Sequence, residues 1–126
     1  MSLSPEDVRQ ATAAGAIRIA RCADCGAEQA MPATSCFGCG GLSLEARAHD
    51  GRGRLYAWTR THVAFDPKYE AEVPYTVLLV ELEGGARLYA RLVPGQDGAR
   101  DLTPGAPVAL DPAATRAKGC PVFALR

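Results

Sequence analysis

Four cysteines form two Cys-x-x-Cys pairs: Cys22 with Cys25, and Cys36 with Cys39. Ten residues separate the pairs, and glycine follows each of them (Gly26 and Gly40). Two residues between sulfurs let backbone amides point at the thiolates, and glycine takes the positive φ that closes such a turn. Two of these knuckles facing each other supply a four-sulfur tetrahedral site with no open position. The ion expected there is structural zinc. A pair of disulfides fits less well. A redox Cys-x-x-Cys fits worse still, because nothing around it reads as a βαβ unit.

The remaining residue types make a poor catalytic set. Cys120 is the one other cysteine, and His49 and His62 are the two histidines. Cys120, ahead of Pro121-Val122-Phe123, reads as a small core residue. His49, between the two halves of the chain, reads as solvated, and His62 as a packing or contact residue. Paired carboxylates, a phosphate-binding loop and a serine elbow are all missing, so the expectation is a chain that is not itself an enzyme. One stretch does suit binding. Tyr56, Trp58, Arg60 and His62 alternate along one strand and are expected to share a face. Arg87, Tyr89 and Arg91 alternate along another, and Phe65 and Tyr69 lie in a charged loop. Aromatic rings interleaved with guanidinium groups can stack bases, stack adenine and pair phosphates of a nucleotide cofactor, or anchor a partner subunit.

The elements around these residues follow from pattern. Ser4-Pro5-Glu6-Asp7 is a helix start, and Gly15 ends that helix. Ile17 and Ile19 flank Arg18 in a short strand running into Cys22. Glu28 to Met31 is its mate, and Leu42 and Leu44 form the strand leaving the second knuckle. From Gly51 the period becomes two: Leu55 to Val63, Pro74-Tyr75 to Leu82, Arg87 to Val93, Pro107 to Leu110 and Val122 to Leu125. Glu83-Gly84-Gly85-Ala86 is a hairpin turn. Ala64 to Val73 reads as a loop, and one helical turn is expected around Ala99–Leu102. Five strands behind the glycine-rich start Gly51-Arg52-Gly53-Arg54 suit a small closed barrel of the OB type. A sandwich fragment or an SH3-like barrel is the alternative. The expected organisation is a mainly β chain with a helix at 1–15, a zinc ribbon at 16–48 and a barrel at 49–126.

Bulk properties narrow the function. The formal net charge is zero and hydrophobic residues make up 48% of 126 residues, as for a soluble globular chain. That charge balance argues against non-specific nucleic-acid binding. No apolar run reaches the roughly 20 residues of a membrane span. The first residues lack the basic start and apolar core of a signal peptide, which makes the cytoplasm the default expectation.

The chain also resembles a known family. The matching pieces are Arg21-Cys22 to Gly26, Cys36 to Gly40, Gly51 to His62, Pro74 to Gly85, Gly105 to Val108, and Pro121 with Phe123, spread over residues 15–125. They are similar to the rubredoxin-like zinc-ribbon plus OB-fold family associated with acyl-CoA enzymes, once described as nucleic-acid binding. The resemblance implies a non-catalytic subunit of a thiolase-like acyltransferase. Hot-dog-fold enoyl-CoA hydratases and steroid side-chain aldolases are the alternative partners, and a single-stranded nucleic-acid module the alternative class. It also implies contact with coenzyme A or acyl-CoA. Relatives often carry two prolines and an arginine between the knuckles. Here Met31-Pro32-Ala33-Thr34 stands instead and offers no basic contact.

Overall fold

Short-range signals fix the first elements. In the computed structural model, which describes residues 4–64, 66–94, 96 and 102–126, helix α1 spans Pro5–Ala13. The Ser4 hydroxyl accepts a hydrogen bond from the Asp7 amide, and Pro5 occupies the first turn. This helix is better buried than its weak apolar stripe suggests. Ala11 and Thr12 are each 5% exposed, and α1 packs on β1 and on a second helix, α2. Gly15 leaves it at φ +79°, where a Cβ would meet the Pro112 carbonyl oxygen at 2.6 Å.

Strands β1 (Ile17–Cys22), β2 (Glu28–Ala30) and β3 (Leu44–His49) form an antiparallel sheet in the order β2-β1-β3. The register runs from Ile17 opposite His49 to Cys22 opposite Leu44, so one ladder links the cysteine end to the far end of the ribbon. The exit strand starts at Leu44 and not at Leu42, which stands 79% exposed.

The other strands close a five-stranded barrel in the order β4-β5-β6-β8-β7. They are β4 (Arg52–Thr61), β5 (Tyr75–Leu82), β6 (Arg87–Leu92), β7 (Pro107–Leu110) and β8 (Val122–Leu125). β6 and β8 run parallel, and the other pairs are antiparallel. This is the expected mainly β, OB-type architecture. Strand β4 pairs on both sides at Gly53, with Leu82 on β5 and Val108 on β7. Only glycine fits there: a Cβ would lie 2.6 Å from the Glu81 carbonyl oxygen and 3.0 Å from Val80 Cγ1. Leu55, Leu78, Val80, Leu82, Val108 and Phe123 fill the interior. Ile17 and Ile19 from the ribbon belong to the same cluster, so one hydrophobic core spans ribbon and barrel.

Two elements depart from the pattern reading. Helix α2, Pro112–Lys118, lies between β7 and β8, where only a strand end was expected. Asp111 caps it by accepting from the Ala114 amide, and Gly119 ends it at φ +79°. Thr115, fully buried, ties α2 to β8 by accepting from the Val122 amide at 3.0 Å and donating to the Val122 carbonyl. The segment read as a plain loop contains a 3₁₀ turn, Pro67–Glu72, capped by Asp66. Of the helical turn expected around Ala99–Leu102, residues 99–101 lie outside the described residues, and Leu102 is buried in the core. Among the described residues no helix is long and apolar enough to cross a membrane.

Candidate functional site

The two knuckles are near copies of each other. The Gly26 amide donates to the Cys22 carbonyl and the Gly40 amide to the Cys36 carbonyl, both at 2.9 Å. Gly26 and Gly40 sit at φ +80° and +75°. The Gly38 amide donates to Cys36 Sγ at 3.3 Å. Gln29 supports the second knuckle, a role that pattern reading missed. Its buried amide donates to the Ser35 carbonyl and accepts from the Phe37 amide, both at 2.9 Å.

These turns bring Cys22, Cys25, Cys36 and Cys39 together, with all four Sγ atoms within 4.8 Å of one another. Cys22 and Cys39 are 3.7 Å apart, and Cys25 and Cys36 3.5 Å. A zinc–sulfur bond of about 2.3 Å places the corners of a tetrahedron roughly 3.8 Å apart, so the donor set fits a metal ion such as zinc. The electrostatics point the same way. Amide hydrogen bonds from Cys39 and Gly38 lower Cys36 to about 7. Cys39, although an amide bond from Gly41 favours its thiolate, is pushed up to about 12 by the neighbouring Cys22 and Cys25 sulfurs and by desolvation. Four sulfurs this close cannot all ionise without a cation among them.

The aromatic and arginine residues are not on one face. A β-bulge lies between Leu55 and Ala57: Leu55 pairs with Val80, but Ala57 pairs with Leu79. The extra residue, Tyr56, breaks the alternation. Trp58 then pairs with Leu78, and Arg60 with Thr76, to whose hydroxyl its guanidinium donates at 3.4 Å. Leu78 and Thr76 are buried, so Trp58 and Arg60 stand on the interior side of the sheet, past the end of the packed core. Tyr56 instead lies under Arg87, whose guanidinium carbon is 4.1 Å from the ring centroid. This corrects the expected sharing of one face by Tyr56, Trp58 and Arg60.

The outer face of β5 and β6 therefore collects Tyr56, Arg87, Tyr89 and Arg91. Arg87 donates to Glu81 at 3.0 Å, a bond that pushes the guanidinium pKa further up. Arg91 stacks on Tyr75 at 3.6 Å and lies 6.0 Å from Tyr69. Tyr89 is 74% exposed between the two arginines. His62 is exposed beyond the end of β4. Phe65 lies outside the described residues.

His49 is not solvated. Its side chain is only 8% exposed. Nδ1 accepts from the Gly51 amide at 2.9 Å, so Nε2 donates to the Glu83 carbonyl at 2.7 Å. The imidazole thus ties the ribbon to the β5–β6 turn, and Glu28 of β2 lies against Gly84 of the same turn. Cys120 is half-buried, and that burial pushes its thiol up, as suits an unreactive thiol.

A four-cysteine ribbon packed on an OB-type barrel, with guanidinium-braced rings left on the surface, defines the class of fold. Residues 46–111 match the family described as "ChsH2, C-terminal OB-fold domain", and the chain belongs to that family. It is 36% identical over 75 residues to a probable enoyl-CoA hydratase alpha subunit of Thermomonospora curvata. It is 33% identical over 75 residues to a DUF35 domain-containing scaffold protein of Methanocaldococcus jannaschii. Those matches span 60% and 58% of this chain but only 23% and 52% of the two relatives. Among solved structures, the fold superposes on a chain of the Ltp2–ChsH2(DUF35) aldolase with a TM-score of 0.73 and 29% identity, covering 99% of this chain and 96% of that one. A DUF35-family protein of unknown function from Sulfolobus solfataricus shares the fold at TM-score 0.63 and 13% identity, with 96% and 84% covered.

Proposed function

We propose that this chain is a non-catalytic scaffold subunit of an acyl-CoA-processing complex. The observation that carries the reading is the end-to-end likeness to a chain of an aldolase assembly, together with the solvent-facing Tyr56–Arg87–Tyr89 surface. Labour divides along the chain. The helix at 1–15 and the ribbon at 16–48 form a docking head held by structural zinc on Cys22, Cys25, Cys36 and Cys39. The barrel at 49–126 offers Tyr56, Trp58, Arg60, His62, Tyr69, Arg87, Tyr89 and Arg91 to a partner or to the nucleotide end of coenzyme A. Guanidinium groups with rings beside them are suited to both. The zinc site is closed by four protein sulfurs and leaves no position for substrate. Bond breaking then falls to the partner.

The partner we favour is a thiolase-like acyltransferase acting in the cytoplasm. The relatives' names favour a second reading, an enoyl-CoA hydratase or an aldolase. The test is co-expression with a thiolase-like acyltransferase, an enoyl-CoA hydratase and an aldolase in turn, followed by size exclusion and metal analysis. A stable complex containing one zinc per copy of this chain, with no thioester turnover by the chain alone, is the expected result. Turnover of acyl-CoA by the isolated chain would overturn the reading.

A further inference from the structure

A second charged group sits away from the cysteines and shares only Arg91 with the outer face of β5 and β6. Arg91 on β6 and Lys118 at the end of α2 both pair with the single carboxylate of Glu72, Arg91 at 3.3 Å. Their side chains are 16%, 32% and 27% exposed, so water screens them only in part. Among the described residues this rim sets two cations against one carboxylate, an excess of one positive charge. Among the described residues Glu72 supplies the sole hydrogen bond to the Arg91 guanidinium, which has five N–H donors. Stacking on Tyr75 fixes its plane.

This rim borders a cavity of about 230 Å³ between β6 and α2. Leu92, Pro94, Ala114, Ala117 and Val122 line it and carry no charge. It is smaller than the roughly 300–1,000 Å³ of clefts for drug-sized ligands, leaving room for a chain of about six heavy atoms. An apolar slot with a pre-positioned guanidinium and one uncompensated positive charge at its mouth suits one ligand class.

We infer that the slot between β6 and α2 binds a short aliphatic monocarboxylate, its chain between Leu92 and Ala114 and its carboxylate on Arg91 and Lys118. An ammonium head is excluded by the sign of the rim, and a long chain by the size of the slot. The site shares Arg91 with the proposed partner surface, but Lys118 and the apolar slot lie outside that surface, so the two readings fail separately.

The test is a titration of the full, metal-loaded chain followed by amide chemical shifts, with hexanoate, hexylammonium, hexyl phosphate and hexanoyl-CoA as separate probes. Hexanoate is expected to bind with a dissociation constant near 1 mM and to move amides of residues 91–94 and 114–122. Lys118→Met should weaken binding at least about fivefold, and Glu72→Gln should tighten it by a similar factor. Opposite signs from two half-exposed positions cannot come from a general loss of fold, which unchanged far-UV circular dichroism would check. Ala114→Phe, which fills the slot, should abolish binding. Equal binding of hexylammonium, or both charge variants moving the same way, would overturn the inference. So would the absence of saturation by 20 mM hexanoate. Hexyl phosphate binding at least as tightly as hexanoate would reassign the rim to phosphate and overturn the carboxylate. Hexanoyl-CoA displacing hexanoate from the slot would reassign it to the thioester chain, ending this inference while leaving the scaffold reading intact. Failure of complex assembly with hexanoate still bound would do the reverse.

Discussion

Replacing Gly53 by alanine tests how the barrel is closed. The added Cβ would lie 2.6 Å from the Glu81 carbonyl oxygen, 3.0 Å from Val80 Cγ1 and 3.1 Å from Leu82 Cα. A carbon rests against a carbonyl oxygen at about 3.3 Å or more, so β4 must move away from β5 by roughly 0.7 Å. The obstacle is backbone, and Gly53 is paired on its other side with Val108, so movement away from β5 presses on β7. Overpacking of this kind costs about 1–3 kcal/mol. Lower entropy of the unfolded chain offsets about 0.4–1 kcal/mol of that. The net expectation is a loss of about 1.3 kcal/mol, a fall in Tm of roughly 5 °C for a domain of this size. Thermal unfolding of the metal-loaded chain, followed by far-UV circular dichroism, reads it directly. Gly85→Ala is the control. That residue sits at φ +104° and an added Cβ would meet nothing within 4 Å, so backbone strain alone acts, at about 1–2 kcal/mol. A Gly53→Ala chain melting within 2 °C of the parent would refute the argument for closure.

Three further outcomes are expected. His49→Ala should destabilise the chain by about 1–3 kcal/mol, because the Gly51 amide and the Glu83 carbonyl both lose their partner; urea unfolding measures the loss, and faster amide exchange at Gly84 and Gly85 would place it. After metal removal, Cys36, at about 7, should be alkylated by iodoacetamide ahead of Cys39, at about 12. The thiolate is the reacting form, so the Cys36 rate should fall as pH drops below 7, and restored zinc should protect all four cysteines, by mass spectrometry. Trp58→Ala should cost the isolated chain about 2–3 kcal/mol, under the 3–5 kcal/mol of a buried tryptophan, since the residue is 38% exposed. In the same variant, partner binding measured by calorimetry should weaken at least tenfold.

Much of this architecture was legible from residue types. The cysteine spacing, the paired glycines of the β5–β6 turn and the period-two runs from Leu55 onward each have a local physical meaning, and the strands fall where those signals put them. Helix α2 was legible too and went unread. Asp111, Pro112, the alanines, Lys118 and Gly119 are a cap, a first turn, a body and a stop. Asp111-Pro112 also reads as the end of the short strand β7, and that meaning masks the helix start carried by the same two residues. The bulge at Tyr56 is a different case. No residue there demands it; it arises because β4 must turn from pairing β5 and β7 to pairing β5 alone. One unannounced residue was enough to move Trp58 and Arg60 to the opposite side from Tyr56. The roles of His49 and Gln29 depend on carbonyls and amides far away in the chain, Glu83 for one and Ser35 with Phe37 for the other. A single sequence holds no signal for such tertiary partners.

Ile17 and Phe123, more than a hundred positions apart, belong to a single packed interior. A chain leaving the ribosome exposes its thiol turns early, and they can capture an ion at once. The apolar side of β1 must nevertheless wait for the barrel interior, which β8 completes between β6 and β7. Maturation of the head is therefore tied to completion of the tail. Trimming Val122–Leu125 should open the cylinder and loosen the interior that Ile17 and Ile19 share with it, and a truncated product would present that interior to proteases and chaperones rather than to an enzyme.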